Sequence, residues 1–128
     1  MTVYLDVDDL LVIAAAVIGS PAKVRDYGLL SSAAARPQTN VFGQEAYTDL
    51  ASKAAALLHS LCANHALIDG NKRLAWAAAV TFAVLNTGSG VPDVNVDDAE
   101  AMMLAVAQGN LVEVSDIAAE LRRLGVVN

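Results

Sequence analysis

His65-Ala66-Leu67-Ile68-Asp69-Gly70-Asn71-Lys72-Arg73, followed by the apolar run Leu74 to Leu85, decides how this chain is read. The run consists almost entirely of helix-tolerant residues, so a Gly-Asn turn sits where a buried helix begins. At such a start the first-turn N–H groups have no partner within the helix and point outward, and with the helix dipole they bind anions. A histidine, a carboxylate and two cations crowd the same turn. This is the equipment of a phosphate-handling site.

Working outward, Leu50, Ala54, Leu57, Leu58, Leu61 and Cys62 recur at three- and four-residue spacing and predict a helix from about Tyr47 to Asn64. After the motif, a helix from about Asn71 to Asn86 is apolar nearly all round and is expected to be the buried centre, wrapped by its neighbours. Thr87-Gly88-Ser89-Gly90-Val91-Pro92 breaks it. Asp97 with Glu100 reads as a capping pair for a fifth helix ending at Gly109, and a sixth runs from about Ser115 to Leu124, closed by Gly125.

Upstream, Asp6 and Asp9 resemble a capping box for a first helix reaching about Ile18, and Gly19-Ser20-Pro21 stops it. A short second helix spans Gly28 to about Arg36, where Pro37 ends it. Pro37 to Glu45 carries turn residues, and a small hairpin around Asn40 to Gly43 is the only β element expected. The expected fold is all-α: a compact six-helix bundle with a short flap loop or hairpin, in one domain over residues 1–128.

Composition agrees. The 128 residues are 55% hydrophobic, much of it alanine, which favours close helix contacts. A formal net charge of −6 with only eight Lys and Arg argues against direct nucleic-acid binding, which needs clustered cations. Two of those eight fall together at Lys72 and Arg73. The single cysteine, Cys62, excludes an internal disulfide and fits a reducing compartment. Leu10 to Ile18 is too acidic at its front, with Asp6, Asp8 and Asp9, to be a signal-peptide core. No apolar run approaches the roughly 20 residues needed to span a bilayer, so a soluble, cytoplasmic protein without membrane association is expected.

Each motif residue has a role that its chemistry suits. His65, at a helix end, can take a proton from an incoming hydroxyl at neutral pH; alone it would more often be a carbonyl-capping histidine, but its neighbours favour the proton carrier. His59, six residues earlier and without polar company in the sequence, reads as structural. Asp69 can ligate magnesium that also touches phosphate oxygens, or cap the helix starting at Asn71, or both. Gly70 permits a tight turn and a close approach of phosphate to the backbone. Asn71 can fix the loop through its amide or touch phosphate. Lys72 and Arg73 supply charge where cations oppose the helix dipole, which suggests a compensating anion.

The string from His65 to Arg73 resembles the core motif of the Fic/Doc superfamily, and more closely its death-on-curing branch. Tyr4-Leu5, Arg25-Asp26-Tyr27-Gly28-Leu29-Leu30, Ala35-Arg36-Pro37-Gln38 and Lys53 to Leu61 are similar to that branch as well. Fic proteins generally transfer AMP from ATP and carry a second arginine three positions after the first; Trp76 stands there in this chain, and Lys72 replaces the usual glycine. Both departures resemble the death-on-curing branch, whose activity is phosphorylation of elongation factor Tu.

The resemblance implies a toxin with His65 as base, Asp69 as the magnesium-associated carboxylate, and Gly70, Asn71, Lys72 and Arg73 as the anion hole for ATP. It makes Pro37 to Glu45 the flap that pairs with the target backbone as an added strand. It also implies a Phd-like antitoxin whose C-terminal helix lies in an apolar groove. No stretch matches the inhibitory Ser/Thr-x-x-x-Glu-Gly/Asn pattern of many Fic proteins, and Ser115 with Glu120 has the wrong spacing, so inhibition is expected from another chain. AMP transfer and a catalytically weak antitoxin-binding co-regulator are the alternatives. Ala66 and Leu67, where proline and phenylalanine are common, keep the second of these open.

Overall fold

The centre of the protein is a helix in which alanine is the most frequent residue. In a computed structural model describing residues 1–128, six helices follow in order: α1 (Val7–Ile18), α2 (Tyr27–Ala35), α3 (Leu50–Asn64), α4 (Asn71–Thr87), α5 (Val96–Ala107) and α6 (Val114–Leu124). A 3-10 turn, Arg36–Gln38, and a hairpin of β1 (Asn40–Val41) and β2 (Gln44–Glu45) lie between α2 and α3. The all-α architecture with one small hairpin is the expected one. No helix is long and apolar enough to cross a membrane.

The centre itself differs from expectation. It is α3, packed by α2, α4, α5, α6 and the 3-10 turn. Of its residues only Ala63 is exposed, whereas α4 keeps Lys72, Arg73, Leu85 and Thr87 in solvent. The reason is side-chain size. Ala51, Ala54, Ala55 and Ala56 let neighbouring backbones approach on every side of α3, and alanine contributes little to a hydrophobic pattern read by bulk. Phe82, Leu10, Leu30, Leu57, Leu58, Leu61, Leu67, Leu74, Ile117 and Leu121 fill the spaces between the helices.

The caps explain the other shifted boundaries. The Asp6–Asp9 capping box of α1 is present as expected, both arms closed. For α5 the cap is Asn95, whose side chain accepts from Asp98 N–H, not the Asp97–Glu100 pair. Helix α3 starts at Leu50 rather than Tyr47, because Asp49 accepts from Ser52 N–H at 2.7 Å. That bond, and Arg122 3.3 Å away, hold the Asp49 carboxyl below the usual range against the opposing pull of its partial burial.

In the hairpin, Asn40 pairs with Glu45 and Val41 with Gln44, leaving Phe42-Gly43 as the two-residue turn. Both turn residues have positive φ, 52° and 79°, as the right-handed twist of two-residue hairpins demands. Phe42 is an unusual occupant of such a position and is fully exposed.

Candidate active site

Helix α3 ends at Asn64, and His65 turns the chain in the left-handed region with φ 53° and ψ 48°. The next two side chains, Ala66 and Leu67, are 1% exposed and pin the loop to the core, while His65, Ile68 and Asp69 face solvent. Leu67 therefore provides the anchoring that the loop needs, despite its size. The connection between α1 and α2 runs antiparallel to this segment through a Val24–Leu67 bridge. Arg25 and Asp26 N–H donate to the Ala66 carbonyl at 2.8 and 3.1 Å, and Ile68 N–H donates to the Lys23 carbonyl at 3.0 Å.

Gly70 is required twice over. Its φ is +88°, and a Cβ there would lie 2.8 Å from Ile18 Cδ1 and 2.9 Å from Cγ1. The end of α1 thus sits directly beneath the turn. Gly70 is also the N-cap of α4, with no side-chain cap. This corrects one expectation for Asp69, which does not cap α4 in the usual way. Its Oδ1 accepts from Gly70 N–H at 2.8 Å, and its Oδ2 lies 3.8 Å from Arg73 Nη2 in an exposed contact. Because no side chain covers the start of α4, the first-turn N–H groups are left to an external acceptor.

Asn71 fixes the loop rather than facing outward. It accepts from Leu67 N–H through Oδ1 and donates from Nδ2 to the Leu67 carbonyl, each at 3.0 Å. Lys72 and Arg73 are exposed. They also line an apolar groove of about 810 Å³ between α4 and α5, whose walls include Trp76, Val80, Val94 and Met103. Trp76, where a second arginine would stand in Fic proteins, is therefore a half-buried wall of that groove.

One loop and one helix start thus gather His65, Asp69, Gly70, Asn71, Lys72 and Arg73. The arrangement offers an exposed imidazole, a helix N-terminus, two cations and one carboxylate. The chain has no group of three or more His, Cys, Asp and Glu able to hold a metal by itself. A lone exposed carboxylate fits magnesium that keeps water and phosphate oxygens as most of its ligands. It does not fit an all-protein metal cage.

Two polar features along α3 are not evident from sequence spacing. Arg36 donates to Tyr47 Oη at 3.2 Å and to Ser60 Oγ at 3.0 Å, and its Nη1 lies 2.7 Å from His59 Nδ1. His59 therefore has close polar company, contrary to expectation, although its role remains structural. Burial, then the Arg36 charge, push its pKa below the usual histidine value, while Glu113 acts weakly the other way. Lys53 is almost fully buried, pairs with Glu45 of β2 at 3.2 Å, and donates to the Tyr47 carbonyl. A lysine amid alanines in α3 was the available signal for this tether. Cys62 is buried, and burial pushes its thiol pKa up, as an inert core cysteine requires.

The chain is 53% identical over 121 residues to Toxin Doc of Mycolicibacterium smegmatis, a match covering 94% of this chain and 92% of that protein. Residues 4–83 match the family model described as Fic/DOC family. That span takes in the hairpin, the whole loop from His65 to Arg73 and most of α4, and by both measures the chain belongs to the Fic/DOC family.

Proposed function

We propose that this chain is the toxin of a type II toxin–antitoxin pair, a cytoplasmic enzyme that transfers the γ-phosphoryl group of ATP to a threonine of elongation factor Tu and so blocks translation. The observation that carries the reading is the exposed His65 on the same loop as the uncapped start of α4, with Lys72 and Arg73 in its first turn. The likeness to Toxin Doc supports the biological setting.

In this reading the threonine oxygen forms a bond to the γ-phosphorus, the bond from that phosphorus to the bridging oxygen breaks, and ADP leaves. The hydroxyl proton passes to the His65 imidazole. Gly70 lets phosphate come close to the backbone, and Asn71 keeps the loop in shape through Leu67. Lys72 and Arg73 counter the charge that accumulates on the transferred group. Magnesium, when bound, supplies charge neutralisation at the phosphates, and Asp69 is the residue that would hold it. The hairpin accepts the target as an added strand. The groove between α4 and α5 takes the C-terminal helix of a Phd-like antitoxin.

Lys72 and Trp76 favour phosphoryl transfer over AMP transfer, because the chain lacks the second clamping arginine and has a cation one residue before Arg73. The test incubates the purified chain and elongation factor Tu with ATP labelled at the γ- or the α-phosphate. Label from the γ position alone supports the reading. Label from the α position makes the chain an AMP transferase, and none from either refutes the reading and makes the chain an enzyme with another target or an inactive binding protein. His65→Ala is expected to reduce incorporation by about 10²- to 10⁴-fold.

A further inference from the structure

One side chain holds both peptide groups that flank His65. Arg25, in the connection between α1 and α2, donates from Nε to the His65 carbonyl at 2.8 Å and from Nη2 to the Asn64 carbonyl at 3.2 Å. Those two carbonyls belong to the peptide planes on either side of the His65 Cα. Holding the Asn64 carbonyl constrains φ of His65, and holding the His65 carbonyl constrains ψ. A single planar guanidinium therefore determines both backbone angles of the residue.

The clamp has a physical task. The left-handed backbone at His65 is uncommon for a residue with a side chain and unfavourable in isolation, so surrounding contacts must select it. Helix α3 has no basic residue in its own last turn. Arg25 supplies the missing cation from a segment forty residues earlier, at the negative end of the helix dipole. It makes no salt bridge with any carboxylate of the chain, so its directional bonds go to main-chain carbonyls. The backbone ladder from Lys23, Arg25 and Asp26 to Ala66 and Ile68 holds the segment in place independently of that side chain.

We propose that Arg25 is a positioning residue for His65: by locking the two peptide planes around it, Arg25 aims the imidazole at the hydroxyl to be deprotonated. The proposal rests on the reading of His65 as the base. Without the clamp the ring still exists and the loop still binds nucleotide, but the imidazole samples directions away from the acceptor hydroxyl.

The experiment compares Arg25→Ala, Arg25→Lys and His65→Ala in the γ-phosphate transfer assay, with and without millimolar guanidinium. Arg25→Ala is expected to lower kcat by about 10- to 100-fold, the size of loss that a small misplacement causes, with KM for ATP unchanged. Guanidinium should restore part of that rate in Arg25→Ala and none in His65→Ala. Arg25→Lys should recover less than guanidinium does, since an ammonium does not span both carbonyls in one plane. The His65 ¹³Cα resonance should move in Arg25→Ala and return with guanidinium, a readout independent of turnover. A wild-type kcat in Arg25→Ala beside a dead His65→Ala overturns the proposal alone. So does a loss that guanidinium leaves untouched in both rate and resonance. A full rate in His65→Ala overturns the reading of His65 and this proposal with it.

Discussion

Asn71 and Leu67 are joined by a reciprocal pair of hydrogen bonds, the amide of one side chain closing on the N–H and carbonyl of one residue at 3.0 Å each. The Leu67 side chain is buried, so these bonds set the height of the loop over the core. Asn71→Ala strands a largely buried N–H and carbonyl and is expected to cost about 2 kcal/mol of stability. Asn71→Asp keeps the acceptor but turns a carboxylate oxygen toward the Leu67 carbonyl, and should cost at least as much. Urea unfolding midpoints check both, and equal midpoints for wild type and Asn71→Ala would refute the role.

Gly70→Ala meets two obstacles that can be separated. The positive φ alone costs about 1–2 kcal/mol, and the new Cβ would lie 2.8 Å from Ile18. Ile18→Ala should relieve the second and leave the first. The double variant is therefore expected to unfold at higher denaturant than the sum of the single changes implies. Simple additivity would mean that Ile18 does not press on the turn.

Lys53 and Glu45 should respond unequally to substitution. Lys53→Met removes a buried charge and replaces it with apolar volume, so stability should change by less than about 1 kcal/mol. Glu45→Gln keeps an acceptor oxygen but removes the only countercharge of a buried ammonium, and should cost about 1–2 kcal/mol. Both variants should speed amide exchange in β1 and β2 relative to α3. Unchanged hairpin exchange in Lys53→Met would show that the tether does not hold the flap.

Much of this is legible in sequence where function and fold coincide in one contiguous string. His65 to Arg73 can be read directly, since each residue's chemistry and the helix start are adjacent in the chain. Arg25 cannot be, because its partners lie forty residues away and a lone arginine in a loop has no periodicity to mark it. The exchange of roles between α3 and α4 has a related cause. Periodicity weighs bulk, whereas Ala51, Ala54, Ala55 and Ala56 are central through lack of it. His59 looked solitary because Arg36, its partner at 2.7 Å, belongs to a turn more than twenty residues earlier.

The contact between Arg36 and His59 gives stability a pH dependence with a definite sign. Arg36 donates, so His59 must be neutral to accept, and its folded pKa lies below the ordinary histidine value of 6.5. The unfolded chain then binds the proton more readily, and stability rises with pH through the window just below 6.5 and is complete above it. Arg36 and Glu113 are the charged groups acting on His59. His59→Gln keeps an acceptor that does not titrate. Its unfolding midpoint should therefore fall less than that of wild type between pH 7.5 and pH 5, a range set by the histidine window. Parallel curves would refute the assignment.

Phe42 offers a test in which stability and activity part. Asparagine tolerates the positive φ that Phe42 adopts at 52°, so Phe42→Asn should steady the hairpin by about 0.5–1 kcal/mol. If the flap receives the target, the loss of an exposed aromatic at its tip should nevertheless weaken growth arrest. Full toxicity in Phe42→Asn would mean that the tip does not touch the target.

Lys72 and Arg73 belong to two surfaces at once, the turn proposed to hold phosphate and the lining of the groove between α4 and α5. Ligands on the two surfaces are therefore thermodynamically linked through shared charge. If a groove ligand brings carboxylates to these cations, it weakens anion binding by some factor, and the anion weakens that ligand by the same factor. Under the proposed function, nucleotide concentration then becomes a variable in how firmly the groove holds its occupant, so the energy state of the cell would enter the equilibrium between free and covered protein.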